Sequence, residues 1–370
     1  MPISKQDLSK QRSYLDPLIF KQANFNAISD IYNAKDYPLK KFKGYFVFGI
    51  DGSQAELPNT PQTREEFDVQ LRALKKTETP KARISALSDV YNDFIIDSTI
   101  SPMSTTEEIL AFEHIEQSDK IIDLKKSIIL FDRYYASIEL FMQLLSKKSN
   151  FIFRLKKSDY KKERTQMKTN NEWVNINLNS ARTKNIKNKE LKDKAKQMDH
   201  LTLRIVNIEL KTGEIETLIT NLPDEIASPQ ELKELYSKRW QIETGYDLLK
   251  NKIHLENFSG KRKIIIEQDF YAQILLYNII IEYKNKCNHD LKEKNETEYE
   301  IKVNMNILTG KLKNNLIKMV FSKTEKEMKQ YKEEIYKTAK KHTIKEKKKK
   351  TTKRKKTSTK KYPFNNRKNF

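Results

Sequence analysis

The stretch Leu235-Tyr236-Ser237-Lys238-Arg239-Trp240-Gln241-Ile242-Glu243, continued through Tyr246 and Leu249 to Lys250, decides how this chain is read. Taken as a helix at about 100° per residue, it gathers Tyr236, Arg239, Glu243 and Lys250 into an arc of roughly 60°. One aromatic, two cations and one carboxylate then form a polar stripe about 20 Å long. Leu235, Ile242, Tyr246 and Leu249 fall beside it as an apolar stripe able to dock the helix on a core. Upstream, Ser228-Pro229-Gln230-Glu231 has the form of a capping box with proline at the first helical position. The spacing predicts a helix over 229–252. Its polar stripe has two readings: a solvated face in which Arg239 and Glu243 form an i,i+4 pair, or a site for metal-dependent phosphate chemistry. In the second, Glu243 holds a divalent cation while Arg239 and Lys250 hold a nucleic-acid backbone.

Choosing between them requires further carboxylates in suitable settings, and two exist. Tyr45-Phe46-Val47-Phe48-Gly49-Ile50 reads as a buried strand that delivers Asp51-Gly52-Ser53; Ser127-Ile128-Ile129-Leu130-Phe131 reads as another that delivers Asp132-Arg133-Tyr134-Tyr135. A carboxylate at the end of a buried strand costs several kcal/mol unless it is paired or metal-bound. Either aspartate alone could be a turn or cap residue. Ile95-Ile96-Asp97 is a third such run, but its continuation is unspecific and it is read as structural. Two strand-end aspartates and a helical glutamate could hold two Mg²⁺ ions about 3.5–4 Å apart. His114, His200, His254, His289 and His342 are scattered and Cys287 is alone, which excludes a zinc site built on their spacing.

On these motifs, the chain resembles the DDE transposases of bacterial insertion sequences, in the group whose signature is Y-(2)-R-(3)-E-(6)-K. Tyr236, Arg239, Glu243 and Lys250 reproduce that signature with every gap intact. Ile50-Asp51-Gly52-Ser53 matches the setting of the family's first aspartate, and Asp132-Arg133-Tyr134-Tyr135 that of its second. Phe153-Arg154-Leu155-Lys156, Thr220-Asn221-Leu222 and Glu256-Asn257-Phe258-Ser259-Gly260 also look like family segments, and the similarity runs from about residue 9 almost to the C-terminus. The resemblance implies an α/β fold: a ribonuclease-H-like core with a β-rich insertion between the second aspartate and the catalytic glutamate. It implies Asp51, Asp132 and Glu243 as catalytic, metal-binding residues, with Mg²⁺ (two ions, Mn²⁺ substituting) as cofactor. Tyr236, Arg239 and Lys250 would position DNA phosphates. The implied chemistry is cut-and-paste: nicking at element ends, often a hairpin intermediate, then attack of a 3′-hydroxyl on target DNA. The implied partners are double-stranded DNA, as terminal inverted repeats and target, and a second copy in a dimeric DNA complex.

Two other function classes compete. A transposase remnant could hold DNA without cutting it, and a structure-selective nuclease such as a junction resolvase could use the same fold. The intact triad argues against the first; the signature spacing and the long insertion argue against the second.

Composition agrees with a polyanionic partner. The formal net charge is +22 over 370 residues. Residues 337–370 hold 16 Lys and Arg against one acid, Glu346, so +15 lies there and +7 in the other 336 residues. Lys outnumbers Arg 59 to 13, a bias that strongly A+T-rich coding would also produce; it does not explain the excess of base over acid. There is no run of about 18 apolar residues and no signal-peptide pattern, which predicts a bacterial cytoplasmic, nucleoid-associated protein with no membrane partner. The single cysteine agrees with a reducing compartment.

Along the chain, 1–40 is expected to be an N-terminal helical segment, the truncated end of a DNA-reading region. Residues 41–156 are the first part of the core and 157–214 the insertion. The second part follows over 215–285, then a helical region over 286–336 and a basic tail over 337–370. Within these, Ser104-Thr105-Thr106-Glu107 opens a helix, Ser137 to Ser146 is another, and Leu201–Leu210 with Ile215–Ile219 form a hairpin about Lys211-Thr212-Gly213-Glu214. Trp173 in the insertion has two readings, a platform for a flipped base or packing of a small subdomain.

Overall fold

The computed structural model describes residues 4–68, 80–294 and 301–345. Eight strands form one mixed sheet: β1 (Phe46–Glu56), β2 (Lys81–Asp89), β3 (Ile95–Ser101), β4 (Ser127–Phe131), β5 (Asn150–Arg154), β6 (Asn171–Asn177), β7 (His200–Glu209) and β8 (Ile215–Thr220). Their order is β3-β2-β1-β4-β5-β8-β7-β6. β1 pairs antiparallel with β2 and parallel with β4, and β4 pairs parallel with β5. The first five strands lie side by side as β3-β2-β1-β4-β5, in the region expected to be the first part of the core. The strands of the hairpin and of the insertion are not a separate body: β8 pairs antiparallel with β5, so β8, β7 and β6 extend the same sheet.

The described residues also form thirteen α-helices: α1 (Lys5–Arg12), α2 (Leu18–Asn33), α3 (Pro61–Glu66), α4 (Glu107–Ser118), α5 (Ile138–Ser146), α6 (Lys161–Gln166), α7 (Ser180–Thr183), α8 (Lys189–Lys196), α9 (Pro229–Ser237), α10 (Trp240–Leu248), α11 (Lys263–Lys294), α12 (Met305–Val320) and α13 (Glu325–Lys341). Strand side chains alternate between two faces, and each face is covered. Val47, Ile128, Leu130, Ile152 and Leu218 pack with Leu232 and Leu235 of α9 and Ile242 of α10. On the other face Phe141 of α5 meets Phe151 and Phe153 at ring-centroid distances of 5.6 and 4.9 Å, and Phe153 stacks on Phe131 at 4.2 Å. The parallel strands are buried on both faces, which is why they read as unbroken apolar runs.

The helix expected over 229–252 is three pieces. The capping box forms as expected, with Ser228 and Glu231 bonding each other's backbone amides. After α9 the amides of Arg239, Gln241 and Ile242 bond the carbonyls three residues back, at Tyr236, Lys238 and Arg239. This tightened turn separates α9 from α10, and Leu249–Ile253 widens into a π-helical turn. Lys238 and Arg239 keep right-handed backbone angles, so the axis bends without breaking. Arg204 of β7, fully buried, anchors the approach to α9. Its guanidinium donates to the carbonyls of Leu222 (3.1 Å) and Ala227 (2.7 Å) and pairs with Asp224 at 2.6 Å.

α11 contains the segment Gln268–Tyr283, whose sequence reads as a strongly apolar core helix, and by length and composition alone it is apolar enough to cross a membrane. Two of its polar side chains are buried and bonded inside the protein, however. Gln268 donates to the carbonyls of Arg12 and Leu15, and Asn278 bonds the backbone of Ile95 on both its amide and its carbonyl. Such one-to-one bonds identify a core helix. The chain divides into two compact units after Ile281. Within the second, α12 and α13 bury Leu308, Leu312, Ile335 and Ala339. The basic residues from 346 onward lie outside the described residues.

Candidate active site

Register brings the two aspartates together. Ile50 of β1 is paired with Phe131 of β4, the last pair of that parallel ladder, and Asp51 and Asp132 are the next residue on each strand. β1 runs on past Asp51 to Glu56 along β2 alone, so Asp51 sits where β4 stops rather than at the end of its own strand. Asp97, the rival acid, is buried against His114 (2.7 Å) and Lys21 (3.0 Å), a paired internal carboxylate as read.

α10 lies over this point because Gly49 lets it. A Cβ on Gly49 would stand 2.5 Å from Cδ1 of Ile242. With the helix this near, the Arg239 guanidinium reaches Asp51 at 2.7 Å and Glu243 at 3.8 Å. The Tyr236 hydroxyl donates to Asp132 at 3.4 Å, and that of Tyr246 to the Asp51 carbonyl at 2.8 Å. Lys250 is held further along β1, donating to the Ser53 hydroxyl (2.9 Å) and the Gln54 carbonyl (2.7 Å), with Glu256 at 4.0 Å. Asp51, Asp132, Tyr236, Arg239 and Lys250 thus all meet β1 or the end of β4, whereas Glu243 is tied in only through Arg239 and is not brought to the aspartates.

Their environments differ. The Arg239 side chain is 11% exposed and that of Glu243 43%. Arg239 is thus no part of a solvated face, while Glu243 points largely outward. Burial raises the carboxyl of Asp51 above the usual range; Arg239 and the Gly52 amide work against this, and the charges of Asp132 and Glu107 add to it. The Tyr236 hydroxyl is likewise held protonated, mainly by burial. Arg154 pairs with Glu216 of β8 at 3.2 Å, and this pair is close enough for Arg154 to act on Tyr236 and for Asp132 to raise Glu216.

Three features escaped sequence reasoning. Tyr246, read as core, bonds the site's backbone; Glu107 faces Gly52; and Glu216 lies near enough to Asp132 to feel its charge. Nothing in one sequence marks them: an acid opening a helix is ordinary, and an acid in a hairpin strand carries no pattern.

The donors suit a hard divalent cation. Asp51 and Asp132 offer oxygen only, and their mutual repulsion together with Glu107 is a surplus of negative charge that a cation would relieve. Among the described residues no three acidic, histidine or cysteine side chains stand close enough to hold an ion. Glu243 must turn inward, and Arg239 must yield at Asp51, for a third carboxylate to join.

Residues 50–279 match the family model described as a transposase DDE domain. The chain belongs to the DDE transposase family. Among curated proteins, this DDE-family chain is 22% identical over 254 residues to the transposase InsG of insertion sequence element IS4 from Escherichia coli K12. That match covers 67% of the chain and 54% of the relative. It is 28% identical over 118 residues to the putative transposase InsZ of the same organism, covering 32% of the chain and 38% of that protein. The chain thus spans about half the length of the first relative. Among solved structures, a piggyBac transposase synaptic complex with hairpin DNA matches with a TM-score of 0.43 at 13% identity, covering 78% of this chain and 56% of that one. DDE-family transposases generally use divalent metal ions.

Proposed function

We propose that this chain catalyses cut-and-paste transposition of a bacterial insertion sequence, by hydrolysis of a phosphodiester at each element end followed by strand transfer. The observation that carries this reading is the Ile50–Phe131 register, which sets Asp51 beside Asp132 under a helix bearing Arg239 and Glu243. In this reading Asp51, Asp132 and Glu243 hold two Mg²⁺ ions, with Mn²⁺ as a substitute. When bound, the ions lower the pKa of a nucleophilic water or 3′-hydroxyl and neutralise the leaving oxygen. Tyr236, through its hydroxyl, orients Asp132 and the scissile phosphate. Arg239, released from Asp51, and Lys250 fix the transferred end by charge-assisted hydrogen bonds to phosphate oxygens. The buried floor of Phe131, Phe153 and Tyr135 excludes bulk water from below and strengthens these contacts. The partners are element-end and target DNA, bound by two copies of the chain in the bacterial nucleoid.

Replacing Asp51 or Asp132 by Asn, or Glu243 by Gln, should abolish nicking of a cognate end in Mg²⁺ while leaving DNA binding within a few-fold, because one ligand is lost and the phosphate contacts stay. Ca²⁺ should support binding with little cutting. Nicking by Asp51→Asn at the wild-type rate would falsify the triad. Binding without nicking by the wild-type chain, on every element end tried, would leave only the DNA-holding remnant.

A further inference from the structure

The geometry points to Glu107 as a fourth carboxylate of this site, one that binds the divalent cation together with Asp51. The inference rests on the metal-dependent reading above and adds a residue to it.

An acid opening a helix usually serves the helix itself, but that position is already filled. Thr106 caps α4, its hydroxyl accepting from the Ile109 amide. The Glu107 side chain instead crosses to the sheet, where it pairs with Arg83 of β2 and lies against Gly52, the neighbour of Asp51. A Cβ on Gly52 would stand 2.9 Å from Oε1 of Glu107, so the bare glycine provides the slot that the carboxylate occupies.

Two tyrosines close the same space. The Tyr135 hydroxyl is buried, with the residue 2% exposed; it lies close enough to the Glu107 carboxylate for hydrogen bonding to help hold it protonated, but not in ordinary hydrogen-bond geometry. Beyond burial, the negative charges that most oppose its ionisation are Glu107 and Asp51. Tyr246, whose hydroxyl touches the Asp51 backbone, senses the same two charges. Glu107 and Asp51 therefore act on the same two buried hydroxyls, with Glu107 set against the residue that follows Asp51, an arrangement in which one cation could draw on both carboxylates. At 35% exposure the Glu107 side chain remains open to solvent ions. The competing role is structural: Glu107 neutralises Arg83, a largely buried guanidinium whose other bond among the described residues is to the Met103 carbonyl at 3.4 Å.

The two roles separate when either partner of the pair is removed. Mn²⁺ binding to the full chain without DNA, followed by titration calorimetry, reads affinity directly. Glu107→Gln should weaken Mn²⁺ about tenfold or more, since even the loss of an outer partner of a ligand costs about 10–100-fold. Arg83→Gln should leave affinity unchanged or tighter, because it deletes a competing cation. If Glu107→Gln fails to fold because Arg83 is stranded, the double variant Glu107→Gln, Arg83→Gln removes both charges; it should bind Mn²⁺ as weakly as expected for Glu107→Gln. Wild-type affinity in Glu107→Gln or in the double variant, while Asp51→Asn has lost binding, would confine Glu107 to the ion pair and overturn the proposal. Equal weakening by Glu107→Gln and Arg83→Gln would do the same. Wild-type affinity in Asp51→Asn would instead sink the triad reading beneath it.

Discussion

Arg239 shows most directly what a single residue contributes. In sequence it is one member of a polar stripe; in the structure its guanidinium is buried and bonded to Asp51. An exposed ion pair would be worth less than about 1 kcal/mol, but removal here leaves a mostly buried carboxylate without its counter-charge. Arg239→Ala should therefore lower both cleavage and stability, the latter by roughly 1–3 kcal/mol, whereas Lys250→Ala should slow cleavage with little effect on unfolding. Cleavage kinetics with thermal melts of both variants checks this; a melt of Arg239→Ala identical to wild type would restore the solvated-face reading. The residues of the signature were legible because their spacing survives any backbone. Their partners were not. That Arg239 meets Asp51, or that Lys250 meets Ser53, depends on how near α10 approaches β1, and a helical wheel holds no such distance.

At the scale of elements that approach is set by one glycine. Gly49 faces Ile242, so Gly49→Ala overpacks the α10–β1 contact, at a cost of about 1–3 kcal/mol. Ile242→Val removes the methyl that collides and should recover at least half of the loss when combined with it. Denaturant unfolding of the two single variants and the double variant tests this coupling, and additive effects would show that the contact does not govern the seat of the helix. The parallel strands were readable because burial on both faces leaves only apolar residues. The tightened turn between α9 and α10 was not, because Lys238 and Arg239 stay in the helical region and the apolar stripe continues through them. The insertion was read as polar and without period. Its strand β6 is an edge strand with half-exposed residues, Trp173 among them at 47%, and its helices α6 to α8 run four to eight residues, too short to impose a period.

For the whole molecule, charge is the property most unevenly shared. Residues 346–370 carry 12 Lys and Arg against Glu346. A truncation that tests this segment must stop after Lys345, because α13 extends to Lys341 and Thr343–Lys345 pairs with Ile301–Val303. Removing 346–370 should weaken binding to all DNA sequences about equally. It should also flatten the plot of log affinity against log salt by about 0.9 for each phosphate no longer neutralised; an unchanged slope would show that the segment does not touch DNA. The continuous sheet has a different consequence, one for modularity. An insertion that forms its own body could be gained or excised as a cassette. Here the residues expected to form it supply β6 and β7, and β7 covers the outer side of β8. Without them, β8 would present a row of unpaired amides and carbonyls flanked by the otherwise buried Leu218 and Ile219, an invitation to sticky edge-to-edge association. The segment thus serves as a guard strand, and an excision that spared the core in sequence would still uncover its edge.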